Sequence, residues 1–150
     1  MPKPKNKTKK IPKKKAKSRA KAPAKIATSI APWLSVSGGA RAVSFYKAAF
    51  GATELFRLED DDSVVAKLSI DGAEFWLSDQ SPEHYNFSPE SLGGSTVRII
   101  LTVADPDAVF TRALKAGAKE VYAMTDEHEW RIGRVVDPFG HHWEIGRPLS

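Results

Sequence analysis

Arg134-Val-Val-Asp-Pro-Phe-Gly-His-His-Trp-Glu-Ile-Gly146 decides how this chain is read. It predicts a strand, a tight turn and a second strand. Asp137, Pro138 and Gly140 stand at the first, second and fourth positions of a type I turn. Proline presets φ there, and an aspartate side chain can accept from the backbone N–H groups ahead of it. On the outgoing arm, alternation puts His142, Glu144 and Gly146 on one face and His141, Trp143 and Ile145 on the other. A carboxylate beside an imidazole on one sheet face suits a ligand or an acid/base pair. It equally suits the polar edge of a half-buried strand.

Upstream of this segment the pattern occurs twice. A short strand at Pro32–Val36 is broken by Gly38-Gly39. A helix follows from about Ala40 to Phe50, with Val43, Tyr46 and Phe50 at helical spacing and Gly51 as its stop. Strands are then predicted at about Thr53–Glu59, Ser63–Ile70 and Ala73–Asp79, with Asp71-Gly72 as a hairpin turn. After a Pro/Gly/Ser-rich linker over residues 80–95, the order returns: strand Thr96–Val103, a helix capped by Asp105 and stopped by Gly117, then three strands. Gly51-Ala52-Thr53-Glu54 recurs as Gly117-Ala118-Lys119-Glu120. Each half is therefore a βαβββ module, at about 31–79 and 96–148. One module alone is too small to bury a good core, so the two should pack together.

Strand alternation sorts the sheet faces. Leu34, Val36, Phe75, Leu77, Val97, Ile99, Leu101, Val103, Trp143 and Ile145 form an apolar set suited to helix-covered core. The opposite set holds Trp33, Ser35, Glu74, Trp76, Arg98, Ile100, Thr102, Arg131, His142 and Glu144. An aromatic and polar sheet face of this kind suits the lining of a cleft.

Charge divides the chain at another place. Residues 1–25 carry eleven Lys and Arg19 with no acid, while all 18 acidic residues lie beyond them. The Lys/Pro/Ala-rich segment 1–29 has too little apolar surface to offset the entropy of ordering. It is expected to be a disordered tail ahead of a single domain at 30–150. Lys3–Lys25 offers nonspecific contact with nucleic acid, although lysines without interleaved aromatics supply charge and no base readout. The absence of cysteine excludes disulfides, thiolate metal sites and cysteine nucleophiles, and fits a cytoplasmic setting. No apolar run is long enough to span a bilayer.

Paired βαβββ modules, Ser44-Phe45-Tyr46 followed by Phe50-Gly51, Leu92-Gly93-Gly94 and the closing Asp137–Glu144 segment resemble the vicinal oxygen chelate superfamily, and its PhnB-like branch in particular. That superfamily includes glyoxalase I, bleomycin-resistance proteins and extradiol dioxygenases. The resemblance covers about residues 31–148. It implies an α+β fold in which two curved mixed sheets enclose a cleft, commonly in a homodimer. Metal-dependent members take one ligand from the first strand and one from the last strand of each module. Carried over, those positions fall at about Ala31, Trp76, Arg98 and Glu144. Only Glu144 is a plausible donor, because Ala and Trp offer none and Arg repels a cation. No catalytic metal or other cofactor is therefore expected, with a divalent ion as the alternative.

The expected function is binding or sequestering of a small molecule. Trp33, Trp76 and Trp130 would stack a planar or apolar ligand, Arg98 and Arg131 would pair with an anionic group, and Glu74 would line the same face. A glyoxalase-like lyase or isomerase is the alternative, with Glu144 as base and His142 as its proton partner. A third reading makes the domain a ligand sensor held near nucleic acid by the basic tail.

Overall fold

The computed structural model describes residues 1–4, 12 and 22–150. The expected disordered tail and its nucleic-acid contact fall largely on residues outside the described ones. The first module comprises β1 (Trp33–Val36), α1 (Gly39–Phe50), β2 (Thr53–Asp60), β3 (Ser63–Ile70) and β4 (Ala73–Asp79). A connection containing the short helix α2 (Pro89–Leu92) leads to the second. That module comprises β5 (Arg98–Thr102), α3 (Pro106–Ala116), β6 (Lys119–Glu127), β7 (Trp130–Val136) and β8 (His142–Pro148). The sheets run β1-β4-β3-β2 and β5-β8-β7-β6, each with its first strand parallel to its last. Two mixed four-stranded sheets with few helices make an α+β fold of paired βαβββ modules.

Local chemistry explains where the helices begin and end. The Asp79 carboxylate accepts from the amides of Gly38 and Gly39 at 3.1 and 2.8 Å, satisfying donors at the start of α1. The close approach demands glycine at 39, since a Cβ there would stand 2.6 Å from Asp79 Oδ2. Asp105 accepts from the Ala108 amide at 3.1 Å and caps α3. Gly51 ends α1 in the left-handed region, where its amide and that of Ala52 close onto Lys47 and Tyr46 carbonyls.

The modules are joined through their helix-covered faces. Helix α1 packs on α3, and Arg112 of α3 donates to the Ala48 carbonyl at 2.7 Å. Trp143 of β8 is 1% exposed and meets Phe50, Tyr46 and Phe75 of the first module, with ring centroids 4.7, 5.5 and 5.6 Å away. Burying such a ring removes a large apolar area from water and anchors one core for both halves.

The Asp137 turn seals the junction. Its carboxylate accepts from the amides of Phe139 and His141, the Trp143 indole and the Tyr46 hydroxyl. Asp137 is 4% exposed, so these four donors supply what lost water would have supplied. His141 faces the same side and bonds the Ser35 carbonyl at 2.8 Å, a structural histidine. One core expectation fails: Val97 is 65% exposed, because β5 begins only at Arg98.

No helix among the described residues is long and apolar enough to cross a membrane.

Candidate functional site

Neither helix packs over the other sheet faces, so those faces carry exposed side chains in ordered rows. On the first sheet, pairing aligns Phe56 of β2, Lys67 of β3, Trp76 of β4 and Trp33 of β1. On the second, the equivalent row is Tyr122, Arg134, Glu144 and Ile100. Each row crosses all four strands because neighbours in register project to the same side.

The first row is an aromatic platform. Trp33 and Trp76 stack at 5.3 Å with planes 9° apart, and Phe56 tilts against Trp76 at 5.8 Å. Lys67 lies over the Trp76 ring at 5.5 Å and pairs with Glu74. The Trp33 indole donates to the Ser78 hydroxyl at 3.0 Å, which fixes the ring's orientation. Even so, Trp33 remains 55% exposed. Beside it a groove of about 590 Å³ runs between β1 and the start of β5, bordered by Phe87, Leu92, Val97, Ile99 and His141.

The second row is charged. Arg98 Nη1 stands 3.0 Å from Glu144 Oε1, and Arg134 Nη1 approaches the same oxygen at 4.0 Å. The Arg134 guanidinium also lies over the Tyr122 ring at 4.5 Å. Arg134 Nε and His142 Nδ1 are buried with no hydrogen-bond partner among the described residues. An unpaired buried donor of this kind costs about 1–3 kcal/mol, so Arg134 is held short of its full complement. His142 is opposite Arg98 in the ladder, on the same face as Glu144. Tyr122, Ile132, Arg134 and Glu144 border a small hollow of about 80 Å³.

Trp33, Glu74, Trp76, Arg98, His142 and Glu144 thus occupy the two open faces, split between the sheets. Trp130 is on the open face of the second sheet at its far end, opposite Pro148, and is half-buried. Arg131 is not on that face. It pairs in register with Arg147 and points to the helix side, where Asp107 of α3 takes Nε at 3.0 Å and Asp126 takes Nη1 at 3.3 Å. Hydrogen bonding from Arg131 holds the Asp107 carboxyl below its ordinary range. The cation of β7 on the open face is Arg134, missed because the strand's parity was taken one residue out. A usable signal was present: a turn closing Asp137 onto His141 places Arg134 opposite Glu144.

The four positions that the resemblance implies as metal ligands do not form a donor set here. Trp76 is stacked on Trp33, Arg98 is a cation, Ala31 has no donor side chain, and Glu144 is held beside two guanidiniums. Among the described residues, no three His, Asp or Glu side chains gather as a metal site would require. These residues do not fit a divalent ion.

Comparison with known proteins agrees with this architecture. Residues 33–146 match the glyoxalase-like domain family. A Mycobacterium bovis protein, Mb0911c, is 44% identical over 131 residues, 83% of this chain and 86% of the relative. The crystal structure of the Arabidopsis thaliana At5g48480 product has a TM-score of 0.63 at 32% identity, covering 79% of this chain and 98% of that one. TnmS3, an antibiotic binding protein from Streptomyces sp. CB03234, shares the fold with a TM-score of 0.62 at 21% identity, covering 83% of this chain and 99% of that one. From its matched residues and its paired βαβββ sheets, this chain belongs to the glyoxalase-like domain family.

Proposed function

We propose that the protein binds a planar, largely apolar small molecule on its open sheet faces and holds it without metal chemistry. The observation that carries this reading is the Trp33–Trp76 stack, ordered by the Ser78 hydrogen bond, with Trp33 exposed and Trp76 half-buried on the open face. A fold built to bury tryptophan has no structural use for two such rings on an uncovered face, whereas a flat ligand gains contact and stacking energy there. The antibiotic-binding role of TnmS3, on the same fold, supports it.

Trp33, Phe56, Leu58, Ile100 and Tyr122, each at least 46% exposed, lie on these two faces. Apolar faces of this extent suit burial in a homodimer that brings the first sheet of one chain over the second sheet of its partner. The reading of Glu144 as a general base and His142 as its proton partner fares less well, because Arg98 already holds the Glu144 oxygen.

Tryptophan fluorescence during titration with 2-naphthalenemethanol, an uncharged planar probe, tests the proposal. Saturable quenching is expected, reduced at least about tenfold in affinity in Trp76→Ala, since stacking contributes about 1 kcal/mol beyond the buried area. Sedimentation equilibrium should show a dimer. Absence of saturable quenching, or an unchanged affinity in Trp76→Ala, would overturn the platform reading.

A further inference from the structure

We infer that Arg98 and Arg134 form an anion site on the second sheet, with Glu144 as its built-in competitor, so that the ligand carries a carboxylate, phosphate or sulfate group. This rests on the small-molecule reading above and specifies the charge of the molecule.

The three cations on and beside β7 and β3 show why. Arg131 is saturated: Asp107 takes it through two of its nitrogens and Asp126 through a third. Lys67, at the row position equivalent to Arg134, has Glu74 as a counter-ion of its own. Arg134 has neither. It shares one carboxylate oxygen with Arg98, reaches it only at 4.0 Å, and keeps a buried Nε without a partner among the described residues. Two guanidiniums sharing one carboxylate oxygen leave forked donors unused.

The surroundings favour an anion there. Tyr122 covers one face of the Arg134 guanidinium and orients it. Glu127 lines the hollow of about 80 Å³ beside Arg134 and pairs with neither arginine among the described residues, so a bound anion sits on the Arg98 side of Glu144, away from that carboxylate. His142 stands beside Arg98 in the ladder, its Nδ1 buried without a partner among the described residues. Arg98, 59% exposed at its side chain, can follow an incoming group, whereas Arg134, at 16%, is fixed. An anion entering from the open face therefore competes with Glu144 for the terminal nitrogens of both guanidiniums.

This arrangement predicts an effect of opposite sign to that of a catalytic or metal-binding glutamate. Removing the Glu144 charge should strengthen anion binding, because it releases both arginines while keeping the side chain's size.

Isothermal titration calorimetry with 2-naphthoate and with 2-naphthalenemethanol, which share the ring system and differ in charge, provides the test. Wild-type protein should bind the naphthoate more tightly. Glu144→Gln should raise naphthoate affinity about tenfold and leave the alcohol unchanged, and Arg134→Gln should lower it by a similar factor. Arg134→Lys should recover only part of the loss, since a lysine keeps the charge and loses the fork. If Arg134→Gln does not fold, Arg98→Gln, altering an exposed side chain, carries the same expectation. Equal affinity for both probes, or weaker naphthoate binding in Glu144→Gln, overturns the anion site and leaves the aromatic platform standing. Failure of both probes to bind overturns the two readings together.

Discussion

The two open faces are built on one plan and diverge at its centre. Outer strands β2 and β6 contribute an aromatic ring, Phe56 or Tyr122, and the next strands a cation, Lys67 or Arg134. The last and first strands of each module then differ: Trp76 and Trp33 on one sheet, Glu144 and Ile100 on the other. The first sheet is a ring stack whose cation has its own counter-ion, and the second is a charge cluster in which two arginines share one glutamate oxygen. The lesson is that a sheet's hydrogen-bond ladder depends little on which side chain occupies an open face. Two copies of a scaffold can therefore acquire different chemistry at matched positions without cost to the fold.

That comparison is broken most forcefully at the two tryptophans of the last strands. Trp143 lies in the shared core and Trp76 on the open face, because their strands point them to opposite sides. Trp143→Ala should cost about 3–5 kcal/mol in urea unfolding, the usual loss for a large buried aromatic. Trp76→Ala should cost clearly less, about 1 kcal/mol. Acrylamide should quench a variant retaining only Trp76 far more readily than one retaining only Trp143. Equal costs, or a more accessible Trp143, would reverse the assignment of the faces.

A middle-sized effect is expected where the halves join. Tyr46 of the first module donates into Asp137 of the second, and both are buried. Tyr46→Phe should cost about 1–3 kcal/mol by leaving the carboxylate one donor short. Burial, and next the charge of Asp137, raise the Tyr46 hydroxyl well above its ordinary 10.0. The folded chain keeps this proton to higher pH than the unfolded chain does. The contribution is therefore complete below pH 10 and is lost as pH rises beyond it. Alkaline unfolding curves should be flatter for Tyr46→Phe than for wild type, and identical slopes would refute a buried, proton-retaining hydroxyl.

The smallest effect belongs to the exposed pairs. Arg98→Ala and Lys67→Ala should each change stability by no more than about 1 kcal/mol, as expected for ion pairs with one partner open to solvent. Melting temperatures that fell sharply in either variant would show that the open faces help to hold the modules together.

Much of this was legible in the chain before any coordinates. The turn at Asp137-Pro138-Phe139-Gly140, the stops at Gly51 and Gly117 and the cap at Asp105 are local signals, set by φ preference and side-chain capping. The opposition of Trp143 to Glu144 follows from period-two alternation along one continuous strand. Arg134 was missed for a specific reason. In Arg131-Ile-Gly-Arg-Val-Val136 the polar and apolar residues fit either parity, so the strand does not announce its own face. Gly133 resolves it in the structure: a Cβ there would stand 2.6 Å from Met124 Sδ and 2.9 Å from Phe110, so that side is the packed one.

What the sequence determined by itself was the element order, the repeat, the helix ends and the side taken by each strand with clear alternation. These depend on neighbours within a few positions, and backbone sterics and solvent exclusion act on them directly. What only the tertiary structure decided was pairing across the chain: Tyr46 with Asp137, Trp143 with the first module's aromatics, Arg131 with Asp107, and Arg134 with Tyr122 and Glu144. Those contacts depend on strand register, and register is a collective property of the closed sheet. A shift of one residue exchanges every inward side chain for an outward one, which is why the same arginine-rich strand could be read with the wrong cation in the cleft.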